Sequence, residues 1–334
     1  MKTINWLVVG TGDIATKRVI PAIVAEPRSR LKAVCDMVKE RAEAVAVGTG
    51  ADVYTELSQA LQSPQVDAVY LCTPVFLHVP QAIQALQAGK HVLIEKPLAV
   101  DYQQTRALTA AAKATDRRCG VAYFRRFSPK YVMAKKMLEA GQFGQVVLIR
   151  MTYFSWFNPL PADPKYWRVI PERSGGGPLS DMGTHMFDVL IGLLGLPERV
   201  FALAETLTHK YAVEDSCVAV MKMQNGAQVI ASFNWNSKTW SHEFEIVGTE
   251  AKVKWLPYDG NSFVKTVGRD TQEIEAANHS NVHYPLIEDF VSAVAEGRPP
   301  LITPDDAALT NRLLDAIYLS AREKREVILK EMDG

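Results

Sequence analysis

The chain has 334 residues, enough for two hydrophobic cores, and its 48% hydrophobic and 22% charged residues are the proportions of a folded globular protein. Lys plus Arg and Asp plus Glu both number 37, so the formal net charge is zero and gives no electrostatic ground for nucleic acid or an anionic membrane as partner. No apolar run approaches the roughly 18 residues of a membrane span, and none is expected.

The first third alternates short apolar runs with amphipathic stretches. Trp6–Val9, Leu31–Cys35, Ala68–Cys72 and His91–Ile94 read as strands, with helix-like segments such as Val79–Ala88 and Tyr102–Ala114 between them. Strand then helix, repeated, predicts a doubly wound parallel sheet with crossover helices. Apolar runs without polar alternation predict a sheet covered on both faces. Directly after the first run comes Gly10-Thr11-Gly12-Asp13-Ile14-Ala15, the pattern G-x-G-x-x-G/A with Ala15 in third place. In that pattern the first glycine permits a tight turn, the second admits a pyrophosphate against the backbone, and the small third residue lets helix and strand pack closely. Gly10, Thr11, Gly12, Asp13 and Ile14 are therefore the expected phosphate contacts, at a helix start that offers free N–H groups.

Asp36 ends the second strand, 21 residues beyond Ala15, where a carboxylate accepts from the adenosine ribose hydroxyls. This favours NAD over NADP, whose 2′-phosphate it would repel. Lys39 and Arg41 follow closely and weaken that repulsion, and the alternative role for Asp36 is to cap the next helix.

After about residue 123 the pattern changes. Gln145–Tyr153, Ser216–Met223, Ala227–Trp235 and His242–Val247 read as strands, and Asn225-Gly226 is a hairpin signal. One strong helix, from Asp181 to about Leu194, interrupts them, and helices return at Pro285–Glu296 and Pro304–Arg325. The expected architecture is α/β: a Rossmann domain over residues 1–122 and an α+β domain with an open, mostly antiparallel sheet over 123–334, whose final helix can pack back on the first domain. Cys35, Cys72, Cys119 and Cys217 are far apart and suit buried free thiols in a reducing compartment. Met1-Lys2-Thr3-Ile4-Asn5 runs straight into a strand-like segment without a signal-peptide pattern, so the expected location is cytoplasmic.

Several further segments carry a family resemblance. Glu95-Lys96-Pro97 follows one strand, and Thr73-Pro74 with His78 follows the strand before it. Later come Gly175-Gly176-Gly177-Pro178-Leu179-Ser180-Asp181-Met182-Gly183-Thr184-His185, Val213-Glu214-Asp215, Ile246–Glu250 and Ile287–Phe290. Together, over almost the whole chain, these resemble the Gfo/Idh/MocA oxidoreductase family, named from glucose–fructose oxidoreductase and inositol dehydrogenase. The resemblance implies Lys96, Asp181 and His185 as catalytic residues, and Thr73, Pro74, His78, Glu95 and Lys96 beside the nicotinamide and ribose. It also implies a homodimer or homotetramer built through the second sheet.

The residue types suit that chemistry. Hydride transfer belongs to the nicotinamide, and the protein must polarise a substrate oxygen and move one proton. Lys96 suits the first task and His185, with an ordinary pKa near working pH, the second. Asp181 lies four residues before His185, on the same face of a regular helix. The plainer readings are a core histidine, an N-cap aspartate, and an incomplete metal-binding stripe of Asp181, His185 and Asp188; no metal is expected.

Tyr123-Phe124-Arg125-Arg126 opens the second domain, with Tyr123 and Arg125 as candidate substrate contacts and one of the two arginines expected in a domain-bridging ion pair. Trp156 and Trp167 add aromatic faces suited to a sugar ring or, alternatively, to a subunit interface. The implied substrate is a sugar, inositol or related cyclic polyol, oxidised at an alcohol or reduced at a ketone. A redox-neutral NAD-dependent glycosidase and a non-catalytic sensor of NAD and sugar are the alternatives on the same fold.

Overall fold

A computed structural model describes residues 3–333; Met1, Lys2 and Gly334 lie outside the described residues. The chain forms two compact units. The first comprises the residues up to Phe124 together with His279–Ala308, and the second comprises Arg125–Asn278 together with the chain from Leu309 onward.

The first unit is built on a six-stranded parallel sheet. Its strands are β1 (Ile4–Val9), β2 (Ser29–Cys35), β3 (Asp52–Tyr54), β4 (Ala68–Leu71), β5 (His91–Ile94) and β6 (Cys119–Val121), in the order β3-β2-β1-β4-β5-β6. β4 is buried at every residue and β1 at all but one, as a sheet covered on both faces requires. The order reverses between β1 and β4, the switch point outside whose carboxyl ends such sheets bind ligands. The loops after β1, β4 and β5 therefore carry, respectively, the glycine turn, Thr73-Pro74 and Glu95-Lys96-Pro97. The helix Tyr284–Glu296 returns from far along the chain to this unit, with Phe290 5.4 Å from the ring of Trp6.

The second unit is built on a nine-stranded sheet. Its strands are β7 (Val146–Trp156), β8 (Pro197–Glu205), β9 (Ser216–Met223), β10 (Gln228–Asn234), β11 (Asn236–Gly248), β12 (Ala251–Trp255), β13 (Ser262–Val267), β14 (Asp270–Glu275) and β15 (Val327–Ile328). The order is β14-β13-β12-β11-β7-β10-β9-β8-β15, and every pair is antiparallel except β10 with β7. The expected hairpin at Asn225-Gly226 joins β9 to β10.

The two faces of this sheet differ. Ala202, Ala219, Ala231, Met151 and Phe244 lie side by side across β8, β9, β10, β7 and β11, all buried. They belong to one core with Met186, Phe187, Val189 and Leu190 of the helix Thr184–Leu194. That helix is buried at every position from Thr184 to Ile191, and the alanine row leaves room for it against the sheet. Phe187 meets Phe233 of β10 edge-on at 5.4 Å. On the opposite face Phe201, Val220 and Ile230 form one cross-strand row and Leu203 with Val218 a second, all exposed.

Because Ala231 leaves no spare volume under the buried helix, Ala231→Leu is expected to destabilise the protein by about 1–3 kcal/mol, read as a lower urea midpoint at an unchanged slope.

Candidate active site

The glycine turn is built by contacts that admit nothing larger at its first position. Gly10 has φ +84°, and a Cβ there would stand 2.9 Å from the carbonyl oxygen of Cys72 at the end of β4. Gly12 is different: a Cβ there would meet nothing within 4 Å. Its smallness satisfies no protein neighbour and leaves open space at a helix start, the fit a pyrophosphate needs. Ala15, fully buried, begins a wide turn in which the Ile20 amide bonds the Ala15 carbonyl, five residues back, before the helix Ile20–Ala25.

Asp36 locks this loop. One carboxylate oxygen accepts from the Thr11 amide at 2.7 Å and the Thr11 hydroxyl at 2.9 Å, and the other accepts from the Val38 amide at 2.9 Å. The helix Lys39–Thr49 starts after Val38 without a side-chain cap, so Asp36 closes a turn rather than capping that helix.

Lys96 follows β5, partly buried, in a segment held from both sides. Before it, the Glu95 carboxylate accepts from the Tyr70 hydroxyl at 2.9 Å and pairs with His283 Nε2 at 3.2 Å. Burial alone would push Glu95 up; the hydrogen bond and charge of His283, with the Lys96 charge and the Tyr70 hydroxyl, outweigh it and leave Glu95 below its ordinary value. After it, the Pro97 carbonyl lies 2.9 Å from His78 Nδ1, and His78 Nε2 lies 2.8 Å from the Thr73 carbonyl. Burial lowers the His78 pKa against the pull of those two carbonyls. The ring of His78 thus ties the Thr73-Pro74 turn to the Lys96-Pro97 segment. Tyr123 also belongs to this unit, with its side chain fully buried.

In the second unit, Asp181 and His185 straddle a junction that the sequence pattern does not reveal. Leu179–Gly183 forms a wide turn in which the Thr184 amide bonds the Leu179 carbonyl, and the regular helix starts only at Thr184. Asp181 is therefore inside this turn, its amide bonded to the Gly177 carbonyl at 3.0 Å, and is not the N-cap. The extra residue rotates it from the i, i+4 register with His185 that a regular helix would impose. Asp181 is half-buried, 4.0 Å from Arg168 Nε, and the Arg168 guanidinium lies 5.4 Å from the ring centre of Trp167. His185 is buried, and its carbonyl accepts from the Tyr258 hydroxyl at 3.4 Å.

Each of the two neighbouring arginines holds a carboxylate of this same unit. Arg125 forks onto Asp259 at 2.9 and 2.7 Å, and Arg126 forks onto the fully buried Asp188 at 3.0 and 2.7 Å. Asp188 is thus neutralised by Arg126. Among the described residues, no three His, Cys, Asp or Glu side chains gather as metal ligands. Around Asp259 stand His242, its Nδ1 3.6 Å away, and Lys130, which donates to the Pro257 and Tyr258 carbonyls. Burial lowers His242 to about 4 and Lys130 to about 8. Trp156 is exposed at the end of β7, edge-on to His209, with Lys238 5.0 Å from its ring centre.

Asp259, His242, Tyr258, His283 and Glu214 carried no assigned role in the sequence. Asp259 sits in a Pro-Tyr-Asp-Gly stretch that reads as an ordinary turn, and His283 merely precedes a helix. The four thiols are free; Cys35, Cys119 and Cys217 are buried and Cys72 partly exposed. Burial pushes Cys35 up to about 11 and Cys119 up to about 12, so these two are inert near neutrality. Among the described residues no helix is long and apolar enough to cross a membrane.

Comparison with known proteins agrees with this arrangement. Residues 4–123 match the oxidoreductase family with an NAD-binding Rossmann fold, and residues 131–254 match the GFO/IDH/MocA C-terminal domain. The chain is 27% identical to scyllo-inositol 2-dehydrogenase (NAD(+)) of Bacillus subtilis over 92% of its own length and 90% of that protein's. It is 29% identical to 1,5-anhydro-D-fructose reductase of Ensifer adhaerens over 90% and 91% of the two chains. The crystal structure of aldose-aldose oxidoreductase from Caulobacter crescentus superposes with a TM-score of 0.90 at 26% identity, covering 98% of this chain and all of that one. With its glycine turn, its Glu95-Lys96-Pro97 segment and its open second sheet, the chain belongs to the Gfo/Idh/MocA family of NAD-binding oxidoreductases.

Proposed function

We propose that the protein is an NAD-dependent dehydrogenase or reductase acting on a secondary alcohol or ketone, or an aldose, of a sugar, inositol or related cyclic polyol. The observation that carries this is the cradle after β1, where the open space at Gly12 adjoins a loop locked by Asp36. The substrate class rests on relatives named for inositol, anhydrofructose and aldoses. NAD is favoured over NADP because a 2′-phosphate would meet the charge of Asp36.

Bound nicotinamide supplies or takes up the hydride at its C4. The Lys96 ammonium polarises the substrate oxygen and stabilises the negative charge that develops on it. In reduction His185 donates its proton to the forming alkoxide; in oxidation the neutral imidazole takes the hydroxyl proton. Asp181 orients the imidazole or a substrate hydroxyl. Thr73, Pro74 and Glu95 line the nicotinamide and ribose side, with His78 bracing them from behind. Trp156 and Trp167 offer faces for the apolar side of a sugar ring, Tyr123 packs behind the site with its side chain fully buried, and Arg125 acts through the Asp259 carboxylate it holds. The exposed rows Phe201–Val220–Ile230 and Leu203–Val218 form the contact of a homodimer or homotetramer.

Four outcomes are expected. Across a panel of sugars, inositols and cyclic ketones run in both directions, wild type changes NADH absorbance with at least one compound. On that compound, Lys96→Ala and His185→Ala each lower kcat/KM by about 10²–10⁴. Unchanged turnover in both variants would sink the assignment, and glycoside cleavage without net NADH change would reassign the reaction as redox-neutral. Asp36→Ala raises the KM for NAD by about 10- to 100-fold, the loss of hydrogen bonds to a charged group, and narrows the preference over NADP. Val220→Glu with Ile230→Glu converts the oligomer to a monomer by light scattering, because each introduces an unpaired charge into an apolar contact.

A further inference from the structure

The wide turn that carries Asp181 hangs from a single buried carboxylate. Glu214 Oε2 accepts from the Gly177 amide at 2.9 Å, and Oε1 accepts from the Leu179 amide at 3.2 Å and the Tyr318 hydroxyl at 3.0 Å. Tyr318, from the helix Pro304–Glu323, lies 3.1 Å from the Ser180 hydroxyl, which in turn donates to the Gly175 carbonyl at 3.1 Å. The contact is so close that a Cβ on Gly177 would stand 2.0 Å from the Glu214 carbonyl oxygen. The triple-glycine run is therefore held at its floor by Glu214 and Tyr318. The amides that Glu214 binds are among those a helix start leaves unpaired. Four residues beyond Glu214's contact at Gly177 stands Asp181, and His185 follows the same continuous run of helical turns.

We infer that Glu214 is a positioning residue of the active site: it fixes the start of the turn that presents Asp181 and His185, and its protonation state sets how firmly that turn is held. The inference rests on the role proposed above for Asp181 and His185. Ionised, Glu214 accepts all three donors. Protonated, it can donate to the Tyr318 oxygen while its two oxygens still accept from the Gly177 and Leu179 amides, which can only donate.

Burial raises Glu214 from its ordinary 4.5 to about 7, against the hydrogen bonds from Gly177, Tyr318 and Leu179, so the exchange between these states falls near neutrality. The titratable groups about it are Tyr318, Tyr211 and Cys217, each pushed up by burial first, then Tyr318 and Cys217 by the Glu214 charge and Tyr211 by the charges of Asp215 and Glu214. Asp215, next in sequence, spends its carboxylate on the amides of Leu207, Thr208 and His209. Because the folded value lies above the unfolded one, the contribution of Glu214 to stability is fully present below about pH 4.5 and is lost as pH rises through about 7. The turn is thus held most firmly with Glu214 protonated, on the low-pH side of that titration.

The test is amide hydrogen exchange over residues 175–185, read by mass spectrometry on the full-length protein without substrate between pH 6 and 8, after correction for intrinsic rates. In wild type the protection of this segment falls as pH rises through about 7. In Glu214→Gln the segment exchanges about tenfold faster at pH 6, because the NH2 that replaces one oxygen cannot accept from a backbone amide, and its protection no longer depends on pH. Tyr318→Phe, which removes one donor and leaves the carboxylate in place, shows a smaller rise in exchange and serves where Glu214→Gln does not fold. On a turned-over substrate, Glu214→Gln lowers kcat while NADH affinity, read by fluorescence, stays within twofold. Equal, pH-independent protection in wild type and both variants would overturn the inference. Absence of turnover in wild type with the exchange difference intact would instead count against the proposed function alone.

Discussion

A carboxylate taken out of water is tolerated only if its oxygens are filled, and this chain fills them with the backbone amides of the loops it needs to hold still. Asp36 takes the Thr11 and Val38 amides, Glu214 the Gly177 and Leu179 amides, and Asp215 three consecutive amides from Leu207 to His209. Glu95 follows the same rule with the Lys96 amide, Tyr70 and His283. An amide donor has no side chain to reorient, so each contact fixes a backbone position. Loops rich in glycine, which lose the most freedom on ordering, thereby acquire the definition that their composition alone denies them.

Much of the first unit was legible because its signals are local. A glycine turn between an apolar strand and a helix needs only six residues to declare itself, and four of the six strands are apolar runs long enough to stand out. β3 and β6 escaped because three residues carry no periodicity, and they hold their places only by pairing with β2 and β5. The second unit was legible where strands alternate cleanly, as in β9 and β10, and opaque in β12 to β14, which are short and rich in charged or polar residues, and in β15, which is two residues long. What could not be read from local pattern is the set of contacts between distant segments. Glu214 reaches Tyr318 across 104 residues and Arg125 reaches Asp259 across 134. The helix expected from Asp181 starts two residues earlier, in a wide turn whose geometry leaves no compositional trace.

The second sheet shows how one strand pattern serves two purposes. In β8, β9 and β10 the inward positions of the central row are all alanine and the outward positions of the adjoining rows are Phe201, Val220, Ile230, Leu203 and Val218. Small residues inside let the Thr184–Leu194 helix lie close to the sheet. Large apolar residues outside would cost solubility on a monomer, which is what the subunit contact proposed above rests on. Inverting the two sets by a one-residue slip would strand alanines outside and force five bulky side chains beneath the helix, so the same pattern also fixes the register.

Charge is handled in a way that suits a neutral substrate. Arg126, itself partly exposed, neutralises the fully buried Asp188, and Arg125 pairs with Asp259 at a partly exposed site. Glu95 has His283 Nε2 3.2 Å away and accepts from the Tyr70 hydroxyl. Burial holds His242 well below its ordinary value, so it stands uncharged beside Asp259 at neutral pH and does not disturb the Arg125 pair. A polyol brings hydroxyls and no net charge, so a site that bound it through unmatched ions would have to strand those ions away from water. Pairing them beforehand, inside one unit, lets hydroxyls be received by groups whose electrostatic cost is already met. Under the function proposed above, the developing charge on the substrate oxygen is then left to Lys96, where an added positive group stabilises the transition state more than the ground state.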